Sequence, residues 1–462
     1  MSTQVQNLQK ENKMGVMPIP KLMMNMGLPM IISMVVQAFY NIVDSYFVSR
    51  MTDDSIANMG EYAVNALTLA FPVQLLIIAV GVGTGVGINA LLSRSLGEKN
   101  FERAGKIAEN AIFIGVCTYI VFLLFGLFGT QAFLKTQTSD PLALKLGGQY
   151  LGICCVMSFG AVGSMIFEKL LQATGRTIHS TIAQLVGAIT NIVLDPVLIF
   201  GLGFFPKMGV KGAAYATVAG QIITMAIGAV LHFACNKEIP RGVRFFRPEG
   251  KIIANIYKIG VPAIIIQALM SVMTYGLNII LGRVSQSAVT AYGIYYKIQQ
   301  FVFFAAFGMN NTIIPVVSYN FGMGDKKRVK DGIKFGMLYT LALMLLGLVG
   351  LQLFVDPLCG VFSLSAETAQ LCKYAIRIIT LGYIFAGANI AYQGIFQALD
   401  HGIGSLVLSL IRLLIVPLPL AFGLTFAANA GKLVWLAVPI GELVGLFAAL
   451  IIMGRIKREL EL

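Results

Sequence analysis

Long apolar runs separated by short polar connections dominate this chain, and about twelve of them reach the roughly 20 residues that a helix needs to cross a bilayer. They begin near Leu22, Tyr62, Arg103, Leu142, Ile178, Lys211, Ile252, Ser287, Val329, Ala366, Ile403 and Gly431. The runs also echo one another. Gly27-Leu28-Pro29 opens the first, and Gly260-Val261-Pro262 opens a counterpart 233 positions later. Ala63-Val64-Asn65-Ala66 recurs as Ala288-Val289-Thr290-Ala291, Ser93 and Gly97 recur as Ser318 and Gly322, and Leu171-Gln172-Ala173 recurs as Phe396-Gln397-Ala398, all 225 apart. The pattern predicts an all-α polytopic membrane protein, with twelve transmembrane helices in two pseudo-symmetric six-helix lobes. The lobes are expected at residues 22–235 and 252–457, joined by a basic Pro- and Gly-containing linker at 236–251 and flanked by tails at 1–21 and 458–462. Internal repeats of this kind characterise alternating-access transporters, whose two bundles move about a central binding site. Function is then expected where the two halves differ.

Composition narrows the class. With 57% hydrophobic and 12% charged residues in 462 positions, and a mean hydropathy of +0.80, a soluble globular protein is excluded. The net charge of +13 comes largely from Lys and Arg on alternate connections, such as Arg94, Lys99, Arg103 and Lys106, then Arg176, then Lys326, Lys327, Arg328 and Lys330. The positive-inside rule turns this alternation into a topology with both termini cytoplasmic, and no basic stretch interleaved with aromatics points to nucleic acid. The polar tail at residues 1–21 lacks a secretory cleavage signal, so the first span is expected to stay as an anchor. Short loops and the absence of an organelle address fit a prokaryotic cytoplasmic membrane.

Enzyme and cofactor chemistry find little footing. Gly81-Val82-Gly83-Thr84-Gly85-Val86-Gly87 lacks the Gly-Lys-Ser/Thr ending of a phosphate loop and lies inside an apolar run, so it reads as close helix packing. Six cysteines form no CxxC pair, the three histidines form no ligand pattern, and no HExxH or nucleophile–base arrangement is present. The expectation is a transporter without cofactor, driven by an ion gradient, with small amphipathic molecules and the bilayer as its partners and no obligate protein partner. A flippase for a lipid-linked precursor is the alternative within transport.

An ionisable residue inside an apolar span costs about 2.5–3.5 kcal/mol to insert and therefore marks a functional site by default. Gln37, Tyr40, Asn41 and Asp44 follow the i, i+3, i+4, i+7 rule and share one face of the first span. The fifth span repeats the arrangement with Gln184, Asn191 and Asp195, the last directly before Pro196. Two acids among neutral oxygens suit a hard cation such as Na⁺, and they suit equally a shared proton. In the second lobe Leu277 stands in the place of Asp44, and Val416-Pro417 in that of Asp195-Pro196. The framework forms there without acids, so Asp44 and Asp195 are assigned to ion coupling. That lobe offers polar stripes instead: Gln267, Ser271, Thr274 and Asn278 on the seventh span, and Asn389, Gln393 and Gln397 on the tenth. Together with Gln37, Asn41, Gln184 and Lys297 of the eighth span, Gln267, Thr274, Asn278, Asn389 and Gln393 are candidates for a substrate cavity. Arg412 and Glu442, in the last two spans, are a candidate ion pair.

At these residues the chain resembles the multidrug and toxic compound extrusion (MATE) family, in the branch of DinF-like and staphylococcal multidrug exporters. The resemblance spans nearly the whole chain and rests on Pro29, Tyr40, Asn41 and Asp44 in the first span, the turn Gly97 to Asn100 with its echo at Gly322, and Asn191-Ile192-Val193-Leu194-Asp195-Pro196. It implies a cation-coupled antiporter that exports lipophilic, often cationic compounds. It also implies that Asp44 and Asp195, with Tyr40, Asn191 and Thr217, form the coupling site in the N-terminal lobe, and that the first helix bends at Pro29. The second branch of the family places coupling acids in its seventh and tenth spans, where this chain has Gln267, Asn278, Asn389 and Gln393.

Overall fold

The computed structural model describes residues 12–52, 59–240, 248–360 and 364–461, apart from the Asn41 side chain. Arg241, Arg244 and Arg247 of the basic linker lie outside the described residues, as do residues 1–11 of the N-terminal tail. Every regular element among the described residues is a helix. The spans are α1 (Ile19–Ser49), α2 (Met59–Gly97), α3 (Phe101–Lys135), α5 (Thr177–Phe200), α6 (Val210–Cys235), α7 (Gly250–Gly282), α8 (Gln286–Gly322), α9 (Lys326–Leu353), α10 (Ala366–Ala398), α11 (Gly402–Leu424) and α12 (Ala430–Glu459). The fourth, α4, is a pair, Pro141–Val156 and Phe159–Ala173, bent by 44° at its break. Eleven continuous helices and one broken one thus account for the twelve apolar runs, and each begins within three residues of the position read from hydropathy.

Proline does not cause the break in α4. Met157 leaves helical geometry at φ −101°, ψ 18°, and three residues on Gly160 meets α6 so closely that a Cβ there would lie 2.9 Å from the Ile222 nitrogen. Conversely, Pro29, Pro72, Pro196, Pro262 and Pro315 all sit within unbroken helices. Two spans widen by one π-turn, α3 at Phe125–Gly129 and α11 at Ile411–Ile415. The glycine run of α2 packs as its composition predicts: a Cβ on Gly81 would strike Met165 Sδ, and one on Gly85 would strike the Lys169 stem at 2.6 Å.

By contact density the chain divides into two units, one made of residues 1–12 and 35–257, the other of 13–34 and 258–462. Helix α1 contributes its first half to the second unit, where a Cβ on Gly308 would meet the Ile31 backbone at 2.8 Å. Within each unit the internal repeat is visible down to single hydrogen bonds. Ser93 Oγ donates to the Ala173 carbonyl at 3.0 Å, and Ser318 Oγ donates to the Ala398 carbonyl at 3.0 Å. Asn100 caps α3 by accepting from the Arg103 amide, and Asp325 caps α9 by accepting from the Arg328 amide, both at 3.0 Å. Even the left-handed turn residues coincide, Lys99 (φ 55°) with Gly324 (φ 73°) and Gly175 (φ 81°) with Asp400 (φ 68°). The same turn occurs twice because each unit needs it to reverse the chain between adjacent spans.

Candidate functional site

The acids of the first unit lie on α1 and α5, and the local structure that presents them is built from small residues. Gly187 of α5 and Gly220 of α6 let the two helices approach to backbone contact: a Cβ on Gly187 would lie 2.6 Å from the Gly220 carbonyl oxygen and 1.8 Å from Thr224 Oγ1. One on Gly220 would lie 3.1 Å from Asn191 Cβ. Asn191 is one turn beyond Gly187, and Thr217 is three residues before Gly220 on the same face of α6. Asp195 follows Asn191 by another turn, fully buried, and Pro196 behind it has no N–H to complete the helix ladder.

Asn191 Nδ2 donates to Asp195 Oδ1 at 3.4 Å. On α1, Tyr40 stands beside Gln37 and in electrostatic range of both Asp44 and Asp195, and the two carboxylates are in range of each other. Asp44 itself is half-buried. Three further groups complete the cluster. Gln74 Nε2 of α2 donates to the Tyr150 hydroxyl at 3.3 Å and to Cys154 Sγ at 3.7 Å, and Tyr150 stands close to Thr217. Tyr150 and Cys154, one turn apart on α4, both lie in electrostatic range of Asp44.

The chemistry of the cluster shows in what is left over. Asp44 Oδ1, Asn191 Oδ1 and Asp195 Oδ2 are buried and have no hydrogen-bond partner among the described residues. All three accept only, once the carboxylates are ionised. A buried unpaired carboxylate costs several kcal/mol, and a proton or a hard cation held by oxygen ligands relieves that cost. The oxygen set therefore fits a proton or a hard cation such as Na⁺.

The structure brings Tyr40, Asp44, Asn191, Asp195 and Thr217 into one cluster, with Gln37 beside Tyr40. Gln184 is half-buried on α5, and the Asn41 side chain lies outside the described residues. Sequence reasoning missed Gln74, Tyr150 and Cys154. Gln74, alone among apolar neighbours two residues after Pro72, was the available signal. In the second unit, Gln267, Asn278 and Gln393 are half-buried, and Lys297 is exposed on α8. Thr274 Oγ1 donates to its own helix at Met270 O, 3.0 Å away. Asn389 is spent elsewhere: its Nδ2 donates to Glu442 Oε2 and to the Glu442 carbonyl, each at 2.8 Å. Glu442 Oε2 also accepts from Arg412 Nη1 at 3.1 Å, which joins α10, α11 and α12.

A family model described as MatE matches residues 29–197 and 262–422. The chain is 24% identical over 436 residues to the multidrug export protein MepA of Staphylococcus aureus (strain MRSA252), covering 94% of each. Among solved structures it is similar, at 22% identity and TM-score 0.89, to an outward-facing conformation of a multidrug resistance MATE family transporter of the MOP superfamily, over 97% of this chain and 99% of that one. A MATE crystal structure in a straight conformation matches at 23% identity and TM-score 0.90, over 98% of this chain and 99% of that one.

Proposed function

The chain belongs to the MatE family of membrane transporters, and from that membership and the oxygen cluster of the first unit we propose that it is a cation-coupled antiporter exporting amphipathic organic compounds. Asp44 and Asp195 carry the coupling ion, H⁺ or Na⁺, with Asn191, Tyr40 and Thr217 arranged about them. The observation that carries this reading is the set of three buried, unpartnered acceptor oxygens, Asp44 Oδ1, Asn191 Oδ1 and Asp195 Oδ2. The multidrug export activity in the names of its relatives supports organic compounds as cargo.

Ion binding neutralises charge between α1 and α5 and changes the hydrogen bonding of Tyr40 and Asn191. A bound ion shifts a two-state equilibrium only by its differential affinity for the two states, so the cluster must hold the ion better in one of them. Pro29, which leaves one carbonyl of α1 without an intrahelical donor, is the place where that helix can bend in response. The protein resides in a prokaryotic cytoplasmic membrane with both termini cytoplasmic.

The test is extrusion of a fluorescent lipophilic cation from proteoliposomes under an imposed H⁺ or Na⁺ gradient. Wild type is expected to extrude under one of the gradients and Asp44→Asn to lose the gradient-driven component. Extrusion by Asp44→Asn at the wild-type rate and gradient dependence would overturn the assignment.

A further inference from the structure

The second unit contains a cavity of its own, and the repeat identifies what it corresponds to. Met270, Met273, Thr274, Gln299, Arg412 and Val438 line it. Met270, Met273 and Thr274 stand 233 positions after Gln37, Tyr40 and Asn41, and Gln299 stands 225 after Gln74. In the last two spans the offset is 221, as Lys211 and Lys432, Gly220 and Gly441 show. Packing bears this offset out: Gly220 abuts Asn191, and Gly441 abuts the Arg412 backbone carbonyl, 3.2 Å from where its Cβ would be. Arg412 then occupies the place of Asn191, and Val438 that of Thr217. The cavity is the ion cluster of the first unit, rebuilt with other side chains.

The rebuilding inverts its hydrogen-bonding character. In the first unit the leftover groups are acceptors. Here the residue in the place of Asn191 is a donor: the Arg412 side chain is 3% exposed, and its Nε is buried without a partner among the described residues. Glu442, also on the wall, accepts Arg412 Nη1 and Asn389 Nδ2 on one oxygen, so its charge is already balanced by the guanidinium when a cation enters the cavity. A carboxylate would meet the charge of Glu442 beside its own. The remaining wall is aromatic, with Tyr292, Tyr296, Phe303, Phe304 and Phe307, and it carries the amide of Gln300. Stability does not account for the ion pair, because a buried pair is commonly matched or bettered by apolar residues of similar volume. Arg412 also sits in the π-turn of α11, a local distortion that often accompanies a functional position.

We propose that this cavity is a binding site for a flat, uncharged aromatic compound that presents a carbonyl oxygen to the Arg412 guanidinium, a ligand class distinct from the cation held in the first unit. The aromatic walls take the ring faces, and the guanidinium, held in place by Glu442 and Asn389, supplies the hydrogen bond that orients the ligand. The cavity has a volume of about 70 Å³. At roughly 10–15 Å³ for each water position and about 30 Å³ of liquid volume per water, that corresponds to the bulk of a two-ring compound.

The test is equilibrium binding to the purified full-length chain in detergent, followed by ligand fluorescence, and it needs neither a gradient nor transport. Two probes share a two-ring frame: 7-methoxycoumarin, neutral with a carbonyl, and N-methylquinolinium, a cation without one. Wild type is expected to bind the coumarin saturably. The pair replacement Arg412→Met with Glu442→Leu is expected to weaken that binding at least tenfold and to leave N-methylquinolinium binding unchanged. Val438→Phe, which fills the cavity and spares the ion pair, is expected to weaken coumarin binding to the same extent. Absence of saturable coumarin binding by wild type, loss in one variant but not the other, or parallel loss of both probes would overturn the proposal. Because no ion gradient is involved, these outcomes are independent of whether Asp44 couples transport.

Discussion

Removing one member of the Arg412–Glu442 pair should damage the second unit far more than removing both. Arg412 is 3% and Glu442 5% exposed, with 3.1 Å between Nη1 and Oε2. Glu442→Leu alone leaves a guanidinium in an aromatic surrounding with no counter-charge, and it strips Asn389 Nδ2 of one of its two acceptors. Arg412→Met alone leaves the carboxylate with only the Asn389 amide. Breaking a buried pair in this way costs about 3–5 kcal/mol, whereas replacing both partners by apolar residues is often neutral or stabilising. In a body of roughly 150–250 residues each kcal/mol moves Tm by about 2–4 °C, so each single variant should melt roughly 6–20 °C lower. The double variant should melt within about 3 °C of wild type, an allowance of roughly 1 kcal/mol. Intrinsic fluorescence of Trp435, the one tryptophan and a buried neighbour in the core of that unit, reports the transition in detergent. A double variant as unstable as the worse single one would refute the claim that the pair is dispensable for folding, and with it the argument that the pair serves the cavity.

Further predictions follow from the repeat and the packing. Ser93→Ala and Ser318→Ala each delete a buried hydrogen bond to an equivalent carbonyl, and Ser93→Ala also removes a longer 3.3 Å contact to Asn89 Oδ1, so each should cost about 1 kcal/mol, and thermal shifts differing more than threefold would contradict their equivalence. Gly187→Ala forces a Cβ against the Gly220 carbonyl and Thr224, which should cost about 1–3 kcal/mol and displace Asn191. A fully stable Gly187→Ala protein, by thermal melting, would mean that α5 and α6 are not held in tight contact at this point. In the connection between α9 and α10, Asp356 has the Lys373 ammonium of α10 2.6 Å away, which holds its carboxyl below the ordinary carboxylate value. The folded pKa is the lower one, so the contribution is present above the unfolded value and lost as pH falls through the folded one. Lys373→Met should return the Asp356 titration, followed by carboxyl carbon-13 shifts, toward the ordinary range, and an unmoved titration would show that Lys373 is not the cause.

Periodic features were legible in the sequence, and isolated ones were not. The first-span stripe at Gln37, Tyr40 and Asp44 and the fifth-span pair Asn191 and Asp195 repeat at helical spacing, so their shared faces follow from spacing alone. The twelve apolar runs were equally plain because length and hydropathy alone decide them. Gln74 is a lone polar group in an apolar helix, and Tyr150 and Cys154 share a face of another, so only the fold shows that the three meet. The stripe of Asn389, Gln393 and Gln397 marks a helix face but names no partner, since the group that takes Asn389 lies 53 positions away on α12. The bend of α4 left no proline or charge to announce it.

The most direct test of the central claim is to drive the cycle backwards. Proteoliposomes are given a gradient of transported compound and no ion gradient, and internal pH or Na⁺ is followed while the compound runs downhill. The account predicts that wild type moves H⁺ or Na⁺ in the opposite direction, and that Asp195→Asn still passes the compound while ion movement disappears. Equal ion movement in wild type and Asp195→Asn would contradict it.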